Sequence, residues 1–159
     1  MSPTQLALVF LLAQIPPKAG PVPFKGPAVV VLLKDGCPCT RECRLQLNIL
    51  AEACKGKIKF FGVVDSAGKK AETLIKEANL NFPLLPDPKA LTIRTFKGHE
   101  ALDLRLVGKD GKLIGSWDGL SRENVAGVSA KIYAETGITI DCDVSFFTTL
   151  PKLGCRFFL

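Results

Sequence analysis

Apolar positions along the chain switch between continuous runs and a helical period, and the switches predict an ordered series of strands and helices. The run from Ala28 to Lys34 is almost wholly apolar and rich in β-branched residues, which predicts a strand buried on both faces. From Thr40 to Cys54 the apolar residues are Cys43, Leu47, Leu50, Ala51 and Cys54, an i, i+4, i+7, i+8, i+11 series that makes one helical stripe. A second strand is predicted over Ile58 to Val64 and a second helix over 68–78, with Phe82 to Pro86 extended. Asp87 and Pro88 supply an N-cap and a first-position proline for a helix through Phe96, stopped at Gly98. Leu102 to Val107 and Lys112 to Trp117 flank Lys109-Asp110-Gly111, a hairpin signal. Ser121 caps a last helix to about Glu135, closed by Gly137.

The two ends do not share this regularity. Residues 1–23 comprise the apolar run Leu6 to Ala13 and a proline-rich connector, Ile15 to Pro23, unfit for helix or central strand. Residues 138–159 form a tail carrying Cys142 and Cys155. The middle, 24–137, reads as one α/β domain, and 159 residues suit one core rather than two. Leu6 to Ala13 is far shorter than a membrane span of about 20 residues. A packed segment is the favoured reading of that run and a signal core the alternative, so a cytoplasmic setting is slightly favoured over export. The net charge of +6 comes from scattered lysines without interleaved aromatic residues, which argues against nucleic acid as a partner.

Chemistry concentrates at Asp35-Gly-Cys-Pro-Cys-Thr-Arg-Glu-Cys43, directly after the first strand. Thiols at a strand-to-helix turn face unpaired helical N–H groups and the positive end of the helix dipole, which favours thiolate. Cys37 and Cys39 flank Pro38 in the turn, where cysteine has no packing advantage, so a redox or metal role is expected of them. Cys43 lies on the apolar stripe and reads equally as a buried or a resolving thiol; Cys54, further along that stripe, reads as core. Cys142 and Cys155 either pin the tail or, with Gly154 as a swivel, bring a resolving thiol to the site. A Cys37–Cys39 bridge would close a small ring across a proline, so bridges from either residue to Cys43 are expected instead. Arg105 alternates with Leu104 and Leu106 and is expected in a solvent-facing salt bridge, while Trp117 and the phenylalanines read as core.

The strand-Cys-Pro-helix turn, the stretch Phe82-Pro-Leu-Leu-Pro-Asp-Pro88, and Leu106-Val-Gly-Lys-Asp-Gly-Lys-Leu-Ile114 followed by Trp117-Asp-Gly-Leu-Ser-Arg-Glu-Asn124 together carry a resemblance. Over roughly residues 24–136 the chain resembles the redoxin group of the thioredoxin-like superfamily. That group holds AhpC/TSA peroxiredoxins, TlpA-like thiol–disulfide oxidoreductases and Sco copper proteins. The resemblance implies a thioredoxin-like fold, a βαβ unit plus a β-hairpin and closing helix around a mixed sheet. It implies a cofactor-free thiol oxidoreductase acting on a peroxide or disulfide, with an external thiol reductant such as a thioredoxin.

In the TlpA-like register Cys37 is the nucleophile and Thr40 stands at the partner position; in the peroxiredoxin register Cys39 is the nucleophile, with Cys43 near the resolving position. The threonine that peroxiredoxins place three residues before the nucleophile is absent in both, with Lys34 or Gly36 there instead. Arg105 or Arg94 would polarise a peroxide. No proline occurs in His99-Glu-Ala-Leu-Asp103, where thioredoxins carry one opposite the nucleophile. Two alternatives follow: a Sco-like Cu(I) chaperone using Cys39, Cys43 and His99, and a non-catalytic thioredoxin-like module.

Overall fold

A computed structural model describes residues 26–159; Leu6 to Ala13 and the proline-rich connector Ile15 to Pro23 lie outside the described residues. Five strands form one mixed sheet: β1 (Ala28–Leu33), β2 (Lys59–Val64), β3 (Leu84–Pro86), β4 (Leu104–Val107) and β5 (Leu113–Trp117). Their spatial order is β3-β2-β1-β4-β5. β1 runs parallel to β2 and antiparallel to β4, so the βαβ half and the hairpin half meet at the first strand. Every residue of β1 is buried, as its unbroken apolar run predicts.

The helices are α1 (Cys39–Glu42), α2 (Arg44–Cys54), α3 (Gly68–Glu77), α4 (Leu91–Thr95) and α5 (Arg122–Thr136). The last matches its sequence signals closely. The Ser121 hydroxyl accepts a bond from the Asn124 N–H at 3.1 Å, and Gly137 ends the helix at a φ of 72° that favours glycine. Two helices differ from expectation. The stretch expected as one helix from Thr40 to Cys54 is broken at Cys43, whose φ of −97° and ψ of 12° leave a single turn ahead of α2. Periodicity reports which face is buried, not where the backbone departs from helical angles.

The helix expected to start at Asp87-Pro88 begins at Leu91 instead. Asp87 to Ala90 closes a turn first, with Ala90 at φ 52°. The Asp87 carboxylate still accepts from Leu91 and Ile93 N–H at 2.9 Å each, so the cap acts from further back.

The tail is packed against the domain. Ile140, Phe147 and Phe157 are buried in the common core, each large burial contributing about 1.5–3 kcal/mol. Lys152 and Leu120 exchange backbone hydrogen bonds at 3.0 and 2.7 Å, and Arg122 donates to the carbonyl of Phe147 at 2.8 Å. Phe158, expected in the core, is instead 90% exposed, since the chain turns outward after Phe157. Among the described residues no helix is long and apolar enough to cross a membrane.

Candidate functional site

The site forms where β1 ends. Leu33 delivers the chain into a turn closed by the Cys37 N–H donating to the Lys34 carbonyl at 3.2 Å, and Cys39 then opens α1. The sulfurs of Cys37 and Cys39 stand 2.6 Å apart, and both are free thiols. Against them lies the segment His99 to Asp103. It is tied to β1 by the Leu102 N–H to Leu32 carbonyl bond at 2.7 Å and the Leu32 N–H to Asp103 carbonyl bond at 2.9 Å. Leu102 is fully buried at φ 75°, a left-handed conformation that a bulky residue holds only when its surroundings impose it.

The third thiol comes from the far end of the chain. Cys155 donates its backbone N–H to the Cys37 sulfur at 3.2 Å. Gly154 lies so close to Cys39 that a Cβ there would stand 2.7 Å from its sulfur. The tail reaches this position through the Ala101 N–H to Cys155 carbonyl bond at 2.9 Å and the Gly154 N–H to Ala101 carbonyl bond at 3.0 Å.

These contacts set the acidities apart. Burial pushes the Cys37 thiol up, but hydrogen bonds from the thiols and backbone N–H groups of Cys155 and Cys39 outweigh it and hold Cys37 below the ordinary thiol value. Cys39 is pushed up to about 12, first by burial and then by the hydrogen bond and negative charge it meets at Cys37. Cys155 is also raised, chiefly by the hydrogen bond it gives to Cys37. One thiol of the three is favoured as thiolate, with two protonated neighbours beside it. The helix dipole expected to do this belongs to a single turn, and the neighbouring donors take its place.

Other expected residues fall elsewhere. Cys43 is buried at the junction of α1 and α2 with its thiol raised, chiefly by burial and in part by the charge of Cys37, while the sulfur within hydrogen-bond distance of Cys37 is that of Cys39. Arg105, expected to face solvent or a peroxide, is only 1% exposed. Both faces of β4 are covered, so alternation leads to no solvent side. Its guanidinium donates to the carbonyls of Phe96, Lys97, Leu104 and Trp117 at 2.7–3.0 Å and pairs with Asp103 at 3.2 Å and Asp118 at 3.5 Å. Asp103 in turn accepts the N–H groups of His99 and Glu100, so Arg105 braces the segment facing the thiols. Arg94 and His99 are exposed. Among the described residues no three His, Cys, Asp or Glu side chains are grouped as a metal site, and Cys39, Cys43 and His99 are not brought together as one.

The sequence matches no family model and no curated protein. Solved structures do resemble it. A bacterioferritin comigratory protein of Xanthomonas campestris aligns with a TM-score of 0.55 and 20% identity, covering 67% of this chain and 78% of that one. The fold is thioredoxin-like. An exposed lipoprotein thioredoxin of Streptococcus pneumoniae gives 0.53 and 20%, covering 68% and 86%. An uncharacterized conserved protein of Geobacillus kaustophilus gives 0.59 and 15%, covering 83% and 76%. In this thioredoxin-like chain, then, the thiol turn sits at the end of the first strand and the start of the first helix.

Proposed function

We propose that the protein is a thiol–disulfide oxidoreductase in which Cys37 is the nucleophile and Cys39 the resolving thiol. One observation carries this reading: the Cys37 sulfur collects donors from Cys39 and Cys155 and is the thiol whose pKa is held below the ordinary value. The Cys37 thiolate attacks one sulfur of a disulfide, the other sulfur leaves as thiolate, and a mixed disulfide remains on Cys37. Cys39 then gives up its proton and attacks the Cys37 sulfur, releasing the second substrate thiol and leaving Cys37 and Cys39 bridged. Two electrons pass to the substrate, and an external dithiol protein such as a thioredoxin restores the pair. A disulfide suits the site better than a peroxide because Arg105, the cation expected to polarise peroxide, spends its donors on four carbonyls and two carboxylates.

The test is mass-resolved alkylation of the reduced protein before and after one equivalent of oxidised glutathione or of hydrogen peroxide. The expected result is loss of two alkylatable thiols with glutathione disulfide, abolished in Cys37→Ser, while Cys39→Ser stops at a glutathione adduct on Cys37. Faster loss with peroxide than with the disulfide would make the protein a peroxidase instead. Six thiols equally slow toward both would overturn the oxidoreductase reading.

A further inference from the structure

The tail does more than cover the site. Its path past the thiols is that of an added strand. Glu100 and Arg156 form an antiparallel bridge, flanked by the Ala101 N–H to Cys155 carbonyl bond and the Phe157 N–H to His99 carbonyl bond at 3.0 Å. The Ala101 carbonyl is taken as well, by Gly154. The segment is anchored on its far side by buried Phe157, by Lys34 lying 6.0 Å from the Phe157 ring and 4.8 Å from the Phe158 ring, and by the Arg156–Glu100 ion pair at 3.2 Å. Gly154 passes where a side chain does not fit: a Cβ would meet Ala101 Cβ and Cys39 Sγ at 2.7 Å and the Ala101 carbonyl oxygen at 2.8 Å. With the tail in place Cys37 and Cys39 are 6% and 5% exposed, so a substrate disulfide reaches neither until the tail lifts.

We propose that the segment from Leu153 to Phe157 is a tethered stand-in for the substrate. The backbone of His99 to Ala101 is a docking edge for an extended, cysteine-containing polypeptide, and Cys155 occupies the place where that substrate's sulfur meets Cys37. This inference rests on Cys37 being the nucleophile, as proposed above. It names the substrate class, a polypeptide cysteine held in a disulfide, and a regulation, displacement of the tail. When a peptide disulfide docks, Cys37 bonds to the peptide sulfur and the peptide's former partner leaves as thiolate. Cys39 then attacks Cys37 and frees the peptide as a thiol. With oxidised glutathione and no peptide, Cys37 first takes one glutathione and releases the other. Cys39 then displaces the bound glutathione, so Cys37 and Cys39 are bridged beneath the tail and two glutathione thiols are produced.

The probe is a synthetic peptide of residues 150–159 carrying its cysteine as a mixed disulfide with 5-thio-2-nitrobenzoate, alongside the same peptide with proline replacing its glycine. Wild type, Gly154→Val, Phe157→Ala and Cys37→Ser are compared for release of the coloured thiolate and for reaction with oxidised glutathione. Both tail variants are expected to react with the glycine peptide about tenfold faster than wild type, because the self-docked state no longer competes. They are also expected to prefer it to the proline peptide, which lacks the N–H that bonds the Ala101 carbonyl. Cys37→Ser should abolish the reaction. Cys37 reacting with glutathione disulfide while both tail variants behave as wild type, or no preference between the peptides, overturns this inference alone. A Cys37 inert toward glutathione disulfide in every variant overturns the oxidoreductase reading, and this one with it.

Discussion

Cys37 and Cys54 stand at opposite ends of the same stretch of chain, one in the turn before α1 and the other at the last residue of α2. Both are buried, at 6% and 0% exposure. Their acidities nevertheless diverge. Cys54 is pushed up to about 12, chiefly by burial and further by the neighbouring Cys142. Cys37 sits in a shallower site, where desolvation also opposes ionisation, and ends below the ordinary value because hydrogen bonds from Cys155 and Cys39 stabilise its thiolate. Burial alone makes an inert thiol; burial together with donors brought from a distant segment makes a nucleophile.

The sharpest way to break that comparison is to alkylate the reduced protein at pH 7 and follow each cysteine by mass. Thiolate population falls tenfold per unit of pKa, partly offset by the lower nucleophilicity of a less basic thiolate, so Cys37 is expected to react more than tenfold faster than Cys54. Equal rates would erase the contrast. A second effect tests the frame that brings the donors in. Arg105→Leu leaves Asp103 buried without its cation and frees the carbonyls of Phe96 and Lys97. Removing one partner of a buried pair is expected to cost about 3–5 kcal/mol, read from urea unfolding, with Arg105→Lys restoring only part because an ammonium lacks the planar fork. A loss near zero would show that the segment facing the thiols is held by its other contacts.

How far each end was legible follows from how local its causes are. The buried strand β1, the Ser121 cap and the Gly137 stop are written in neighbouring residues, and each was readable. So were Cys37 and Cys39 as turn thiols and Cys54 as core. The role of Cys155 was open in the sequence because it depends on the bridge between Glu100 and Arg156, a pairing of distant segments that no local pattern encodes. Gly154 carried the one available signal, a glycine beside a cysteine, read as a swivel where the structure uses it for close approach. Arg105 was misplaced because alternation separates two faces without saying whether either meets water.

The smallest effect is a dependence of stability on pH whose sign differs between the two ends. Folded Cys54 keeps its proton to about 12, whereas the unfolded chain releases it near the ordinary value of about 9. The unfolded state therefore binds fewer protons between those values, and the contribution of Cys54, fully present below about 9, is lost as pH rises toward about 12. One unit above the unfolded value this amounts to about 1.4 kcal/mol. Cys37 runs the other way: its folded pKa is depressed, so its contribution is present above the unfolded value and is lost as pH falls through the folded one. Urea midpoints measured under reducing conditions from pH 7 to 11 should thus steepen downward above pH 9 in wild type. Cys54→Ala should flatten that limb in part, since Cys39 and Cys142 are raised as well, while leaving the slope below pH 9 intact, and Cys37→Ala should flatten the lower one. Slopes above pH 9 that coincide for Cys54→Ala and wild type would mean that Cys54 ionises as it does in water. The contrast between the two thiols would then owe nothing to burial at the α2 end.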